Sequence, residues 1–143
     1  MTDEQRVSFP RDGGCFGCSP SNAHGMQLTF FRRGDRVGTR YAIPDRFHGA
    51  PGIAHGGIVA TIFDEVSCGV VVFLKKRYVV TGELTVRYEA PCPVETELEL
   101  VGWVEDDSHP RYCVVHAEAM LDGQAIARSK GRFFYAELDQ PAP

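Results

Sequence analysis

The sequence predicts an α+β fold in which an antiparallel β-sheet wraps around one long central helix. Two observations predict it. The segment IVATIFDEVSCGVVVFLKK sets Val59, Phe63, Val66, Val70 and Phe73 within one narrow stripe at the helical period, so that face must be buried. Every other regular segment reads as a strand, in the order β-β-α-β-β-β-β. One helix cannot cover itself, and long strands need an apolar partner on their concave face. The 143 residues suit a single domain with one core.

Residues 1–14 are expected to form a flexible N-terminal arm, given their polarity, Pro10 and the Gly13-Gly14 pair. The domain is expected over 15–138 and a disordered tail over 139–143. CFGCSPSNAHG, from Cys15 to Gly25, is rich in turn residues and reads as a folded loop. Met26 to Arg33 alternates Leu28 and Phe30 against Gln27 and Thr29, which is a strand pattern, and Gly34-Asp35 turns the chain into Val37 to Ile43. A Gly/Pro-rich loop from Pro44 to Gly57 leads into the helix, whose last turn carries Lys75, Lys76 and Arg77, favourable charges at a C-terminus. Further strands are expected over Val79 to Ala90, Thr96 to Val104, Arg111 to Leu121 and Gln124 to Glu137. Pro91 to Pro93 breaks the chain, and Asp122-Gly123 marks a hairpin. In the third of these strands Cys113, Val115, Ala117 and Ala119 share one face.

The net charge of −4 and the absence of a basic stripe argue against a nucleic-acid partner. No apolar run is expected to reach the ~20 residues that span a bilayer, so no membrane association is expected. The polar, acidic opening MTDEQRVSFPRDGG does not read as a secretory signal, which makes the cytoplasm the expected compartment. There the five cysteines are expected as free thiols.

The chemistry concentrates in FHGAPGIAHGGIVATIFDE, Phe47 to Glu65. A helix starting near Gly56 exposes N–H groups that lack intrahelical partners, and its dipole adds partial positive charge there. Gly56 and Gly57 let a ligand oxygen approach those groups closely, which is how a backbone oxyanion hole is built. His55 and the Pro51-Gly52 turn would fix the entering loop. Asp64 lies far from the buried stripe, with small helical neighbours Gly57, Ala60, Thr61 and Cys68 that leave room for a ligand. It is roughly 12 Å along the axis from Gly56 at 1.5 Å rise per residue. Both can act on one carbonyl only if two antiparallel helices of a dimer meet, so a site shared between subunits is expected unless one of the two is not functional.

HGGIVATIFDE with the preceding GAPGIAHGG resembles the helix signature of hot-dog-fold acyl-CoA thioesterases, in the group that includes phenylacetate-pathway enzymes. CFGCSPSNAHGMQL resembles the N-terminal segment of members of that group, so the resemblance runs from about Cys15 to Glu137. It implies the hot-dog fold, an acyl-CoA substrate, a homodimer or dimer of dimers (homotetramer), and no cofactor or metal. It makes Gly56 the oxyanion donor, Asp64 the general base or nucleophile, and Thr81 the residue that orients the attacking water. Gly57, His55 and His48 are the substrate-binding candidates; many members have Asn or Gln in the loop before HGG to hold the thioester, and His48 is the nearest polar candidate here.

Rival readings remain beside these. Glu65 is the alternative carboxylate, set among Ile58, Ile62, Gly69 and Val72. Cys15-x-x-Cys18 invites a metal or redox reading, but a structural zinc wants four ligands and only His24 supplements the pair. Lys130, Arg132, Arg128 and the Lys75 to Arg77 group are candidates for coenzyme A phosphates or for a solvated face. His109 and His116 read as a turn and a strand residue without evident partners. The alternative functions are a hot-dog acyl-thioester hydratase/dehydratase, pairing His48 or His55 with Asp64, and a non-catalytic acyl-CoA-binding protein.

Overall fold

The computed structural model describes residues 3–10 and 13–138. Seven strands and one long helix follow in the order β1 (Glu4–Val7), β2 (Phe30–Arg33), β3 (Arg36–Ala42), α1 (Gly56–Lys75), β4 (Val79–Tyr88), β5 (Glu97–Asp106), β6 (Tyr112–Leu121) and β7 (Gln124–Tyr135). They form one sheet in the order β1-β2-β3-β5-β6-β7-β4, with every neighbouring pair antiparallel. This is the hot-dog architecture that the pattern predicts.

The predicted stripe of α1 is the core: Val59, Phe63, Val66, Val70 and Phe73 are all buried. The sheet curves far enough to bury Ile62, Val71 and Val72 on the flanks as well, and meets them with Leu98, Leu100, Val115, Ala117, Ala119 and Phe133. Close approach of helix and sheet depends on Gly102 of β5, where a Cβ would sit 3.1 Å from Val70 and 3.2 Å from Val66. Each large apolar side chain buried here contributes roughly 1.5–3 kcal/mol.

Three expectations are corrected. Glu4–Val7, inside the expected flexible arm, pairs with β2 from Glu4↔Arg33 to Val7↔Phe30. Its outer charge joins a surface network in which Arg40 holds Glu4 at 2.7 Å and Glu99 at 3.0 Å, a pattern that hydropathy does not reveal. The strand expected from Met26 begins only at Phe30, because Gln27 takes a left-handed φ of 53°, although Met26 and Leu28 are still buried. Finally, α1 is by length and composition long and apolar enough to cross a membrane, where no such run was expected; more than half of it is buried inside the sheet, as befits a core helix. Residues 139–143 and positions 1, 2, 11 and 12 lie outside the described residues.

Candidate active site

The N-terminus of α1 is capped by its own approach loop. His55 Nδ1 accepts from the Gly57 N–H at 2.9 Å, and the His55 carbonyl accepts from Ile58 and Val59 at 2.9 and 3.2 Å. Of the first-turn donors, this leaves Gly56 N–H without a protein acceptor among the described residues. Gly57, read as a second ligand-binding donor, has its N–H committed to His55. The loop is fixed by Gly49 N to Ile53 O (2.8 Å), His55 N to Phe47 O (2.9 Å) and Ala54 N to Cys92 O (2.8 Å). His48 Nδ1 donates to the Asp45 carbonyl at 2.6 Å, and its exposed ring belongs to that same loop.

Asp64 is half-buried on α1, and Thr81 of β4 donates to its Oδ1 at 2.5 Å. Cys68, one turn further along, lies 3.8 Å from the same Thr81 hydroxyl. Burial first, then the Asp64 charge, pushes the Cys68 thiol up to about 12. The hydroxyl reaches the helix from a β-bulge, where the register shifts between Thr81 and Glu83. Gly82 sits within it, and a Cβ there would fall 2.3 Å from the Phe134 ring. Thr61 turns its hydroxyl back onto the Gly57 carbonyl at 2.9 Å, so the strip between Gly57 and Asp64 carries no large side chain.

Sequence reasoning missed Tyr88. Its hydroxyl, from the far end of β4, donates to the Gly56 carbonyl, so that strand is tied to the helix at both Gly56 and Asp64. Tyr88, Ile53, Ala54, Val59 and Cys92 line an open, mostly apolar cleft of about 370 Å³ beside the helix N-terminus. An exposed Tyr at the end of a strand carries no periodic signal.

Glu65, the rival carboxylate, points the other way. It packs beneath the Cys15–Cys18 loop, where Cys15 Sγ donates to its Oε1 at 3.4 Å, and burial raises its pKa above the ordinary carboxylate value. Several candidate cations are engaged: Lys75 with Asp107, Arg128 with Glu89 (2.8 Å) and Glu118 (2.6 Å), Arg77 over the Tyr135 ring and Arg132 over Tyr112. His109 stacks on Tyr112, and His116 lies beside Trp103 and Glu105.

A central helix wrapped by an antiparallel sheet defines a hot-dog fold, here with a glycine-rich helix N-terminus and a Thr-held carboxylate. Comparison with known proteins agrees: residues 51–107 match the Thioesterase superfamily. The chain is 31% identical over 100 residues to human acyl-coenzyme A thioesterase THEM5, an alignment covering 66% of this chain; the chain spans only 38% of that relative's length. A Thioesterase superfamily protein from Shewanella loihica PV-4 is 28% identical, with a TM-score of 0.66 over 80% of this chain and 96% of that one. The phenylacetic acid degradation-related protein of Ralstonia eutropha JMP134 shares the fold at 18% identity, with a TM-score of 0.70 over 82% and 92% of the two chains. A Streptococcus mutans UA159 protein solved bound to acetyl CoA does so at 22%, with a TM-score of 0.65 over 71% and 82%.

Proposed function

We propose that this chain hydrolyses an acyl-CoA-type thioester to free acid and thiol in a site shared between two subunits. The observation that carries the reading is the Asp64–Thr81 pair, a carboxylate held by a hydroxyl rather than by a cation, on the open face of α1. The kinship with thioesterases and the acetyl CoA held by a fold neighbour support the substrate class.

The thioester carbonyl lies against Gly56 N–H, with the acyl group toward the apolar cleft at Tyr88. Asp64 takes a proton from water, or attacks directly to form an anhydride that water then opens. In the first route hydroxide adds to the carbonyl carbon, and the C–S bond breaks as the tetrahedral intermediate collapses. The thiolate leaves readily and recovers the proton. Thr81, having donated to Asp64, keeps its lone pairs to align the water.

Within one chain Gly56 and Asp64 are roughly 12 Å apart at the helical rise, so one subunit's Gly56 serves its partner's Asp64. β4 supports a homodimer, or a dimer of dimers. It is an unpaired edge strand ten residues long, with Val80 and Tyr88 exposed at 49% and 47%. Five free thiols favour a reducing compartment, and we place the protein in the cytoplasm. A hydratase that uses His55 as base is less well supported, because its Nδ1 accepts from Gly57 N–H and the proton of the neutral ring sits on Nε2.

Thiol release from a panel of short, medium, long and aromatic acyl-CoAs tests the reading, with wild type beside Asp64→Asn. The expected outcome is turnover that falls ~10²–10⁴-fold in the variant while acyl-CoA still binds. Binding without thiol release from any panel member would overturn hydrolysis in favour of a hydratase or a binding protein.

A further inference from the structure

The Cys15–Cys18 loop and Glu65 play no part in the proposed reaction, yet they form the densest group of metal-binding atoms among the described residues. The two Sγ atoms and a Glu65 carboxylate oxygen all lie within 4.8 Å of one another. We propose that Cys15, Cys18 and Glu65 form a three-ligand site for a thiophilic divalent cation of the Zn²⁺ class, fastening the N-terminal loop to the central helix.

The local geometry is built around the sulfurs. Gly17, between the two cysteines, donates its N–H to Cys15 Sγ at 3.3 Å, an arrangement that stabilises negative charge on sulfur. Gly17 also lies flat on the carboxylate: a Cβ there would be 2.4 Å from Glu65 Cδ, so a larger residue would lift the loop away. Backbone bonds from Ser19 N to Cys15 O (3.1 Å) and Met26 N to Phe16 O (2.8 Å) hold the turn in this shape.

Burial disfavours the charged forms of Cys18 and Glu65, while hydrogen bonds from the thiols favour the Glu65 carboxylate. Burial, and after it the Glu65 carboxylate, pushes the Cys18 thiol up. A divalent cation reverses that balance. Both thiols release their protons to solvent on binding, and two thiolates with one carboxylate around a 2+ ion leave a net charge of −1. Zinc–sulfur bonds of about 2.3 Å place tetrahedral ligand sulfurs ~3.8 Å apart, inside the 4.8 Å within which the three ligand atoms lie. A cavity of about 160 Å³ reaches Cys15 and Cys18 from the side of β1, bordered by Phe9, Pro20 and Leu28, and gives water access to the fourth position. His24 is outside the cluster, its backbone N–H bonded to Asn22.

The test is a Co²⁺ titration of the reduced, chelator-treated full chain, followed by absorbance, with melting temperature measured in parallel with and without Zn²⁺. The expected result is one Co²⁺ per chain with a thiolate-to-cobalt charge-transfer band. Zn²⁺ abolishes the band and raises the melting temperature. Cys18→Ser loses the band, and Glu65→Gln weakens Co²⁺ binding at least ~10-fold, the order expected for losing one charged ligand. No charge-transfer band in the reduced wild type would overturn the proposal whether or not any variant folds. So would Co²⁺ binding unchanged in Glu65→Gln. A Cys15–Cys18 disulfide in unreduced protein, with no metal uptake after reduction, would replace the site with a redox pair. None of these readouts depends on thioester hydrolysis.

Discussion

Asp64 and Glu65 are neighbours in sequence with opposite surroundings. A helix turns about 100° per residue, so Asp64 opens toward Thr81 and the β4 edge while Glu65 is pressed under the Cys15–Cys18 loop. Cys68 reports on the Asp64 side. With its thiol held near 12 by burial and by the Asp64 charge, thiolate at pH 8 is about three decades scarcer than for an ordinary thiol. Alkylation followed by peptide mass mapping is therefore expected to spare Cys68 in the native protein. The rate should rise with pH up to about 12, and Asp64→Asn should accelerate it at fixed pH by removing the neighbouring charge. Equal labelling of Cys68 in native and unfolded protein would contradict this environment. The sequence wheel separates Asp64 from the core, but it does not reveal that Thr81 arrives from a β-bulge with its hydroxyl 2.5 Å away.

At the scale of the element, α1 is set by its two ends. The C-terminus closes with Lys76 in the left-handed region at φ 57°, its N–H on the Val72 carbonyl. At the other end His55 acts as an N-cap through an imidazole, and Gly57 is free of side-chain conflict with that ring. His55→Ala is expected to lower stability by ~1 kcal/mol, with Asn restoring most of it, as measured by urea denaturation. If His55 instead carried the chemistry, Asn would restore stability but not turnover. A uniform effect on both assigns it to the cap. The cap was legible only as a loop-fixing histidine, because which ring nitrogen meets which N–H depends on the turn that Phe47, Gly49 and Ile53 build together.

At the scale of the whole molecule, the unpaired edge and the spacing along α1 lead to the same expectation. A ten-residue edge strand with exposed Val80 and Tyr88 is a surface that soluble proteins ordinarily cover. Sedimentation at micromolar concentration is expected to give a dimer or a multiple of it. Val80→Lys should shift the population toward monomer and lose turnover in proportion, since a lone subunit cannot bring Gly56 to Asp64. A fully active monomer would show that one chain holds the complete site.

The sequence by itself determined the helix and its buried stripe, the alternation of β6, the hairpin at Asp122-Gly123 and the glycine-rich helix start, since these follow from local period and backbone freedom. Only the tertiary structure decided what meets across the chain. It brought β1 to the sheet edge through Arg33 and Arg40, Tyr88 to the Gly56 carbonyl, and Glu65 to Cys15 and Cys18, far before it in the chain. Such contacts join residues far apart in sequence, and their partners are fixed by the curvature of the sheet and the register of its strands rather than by any local pattern.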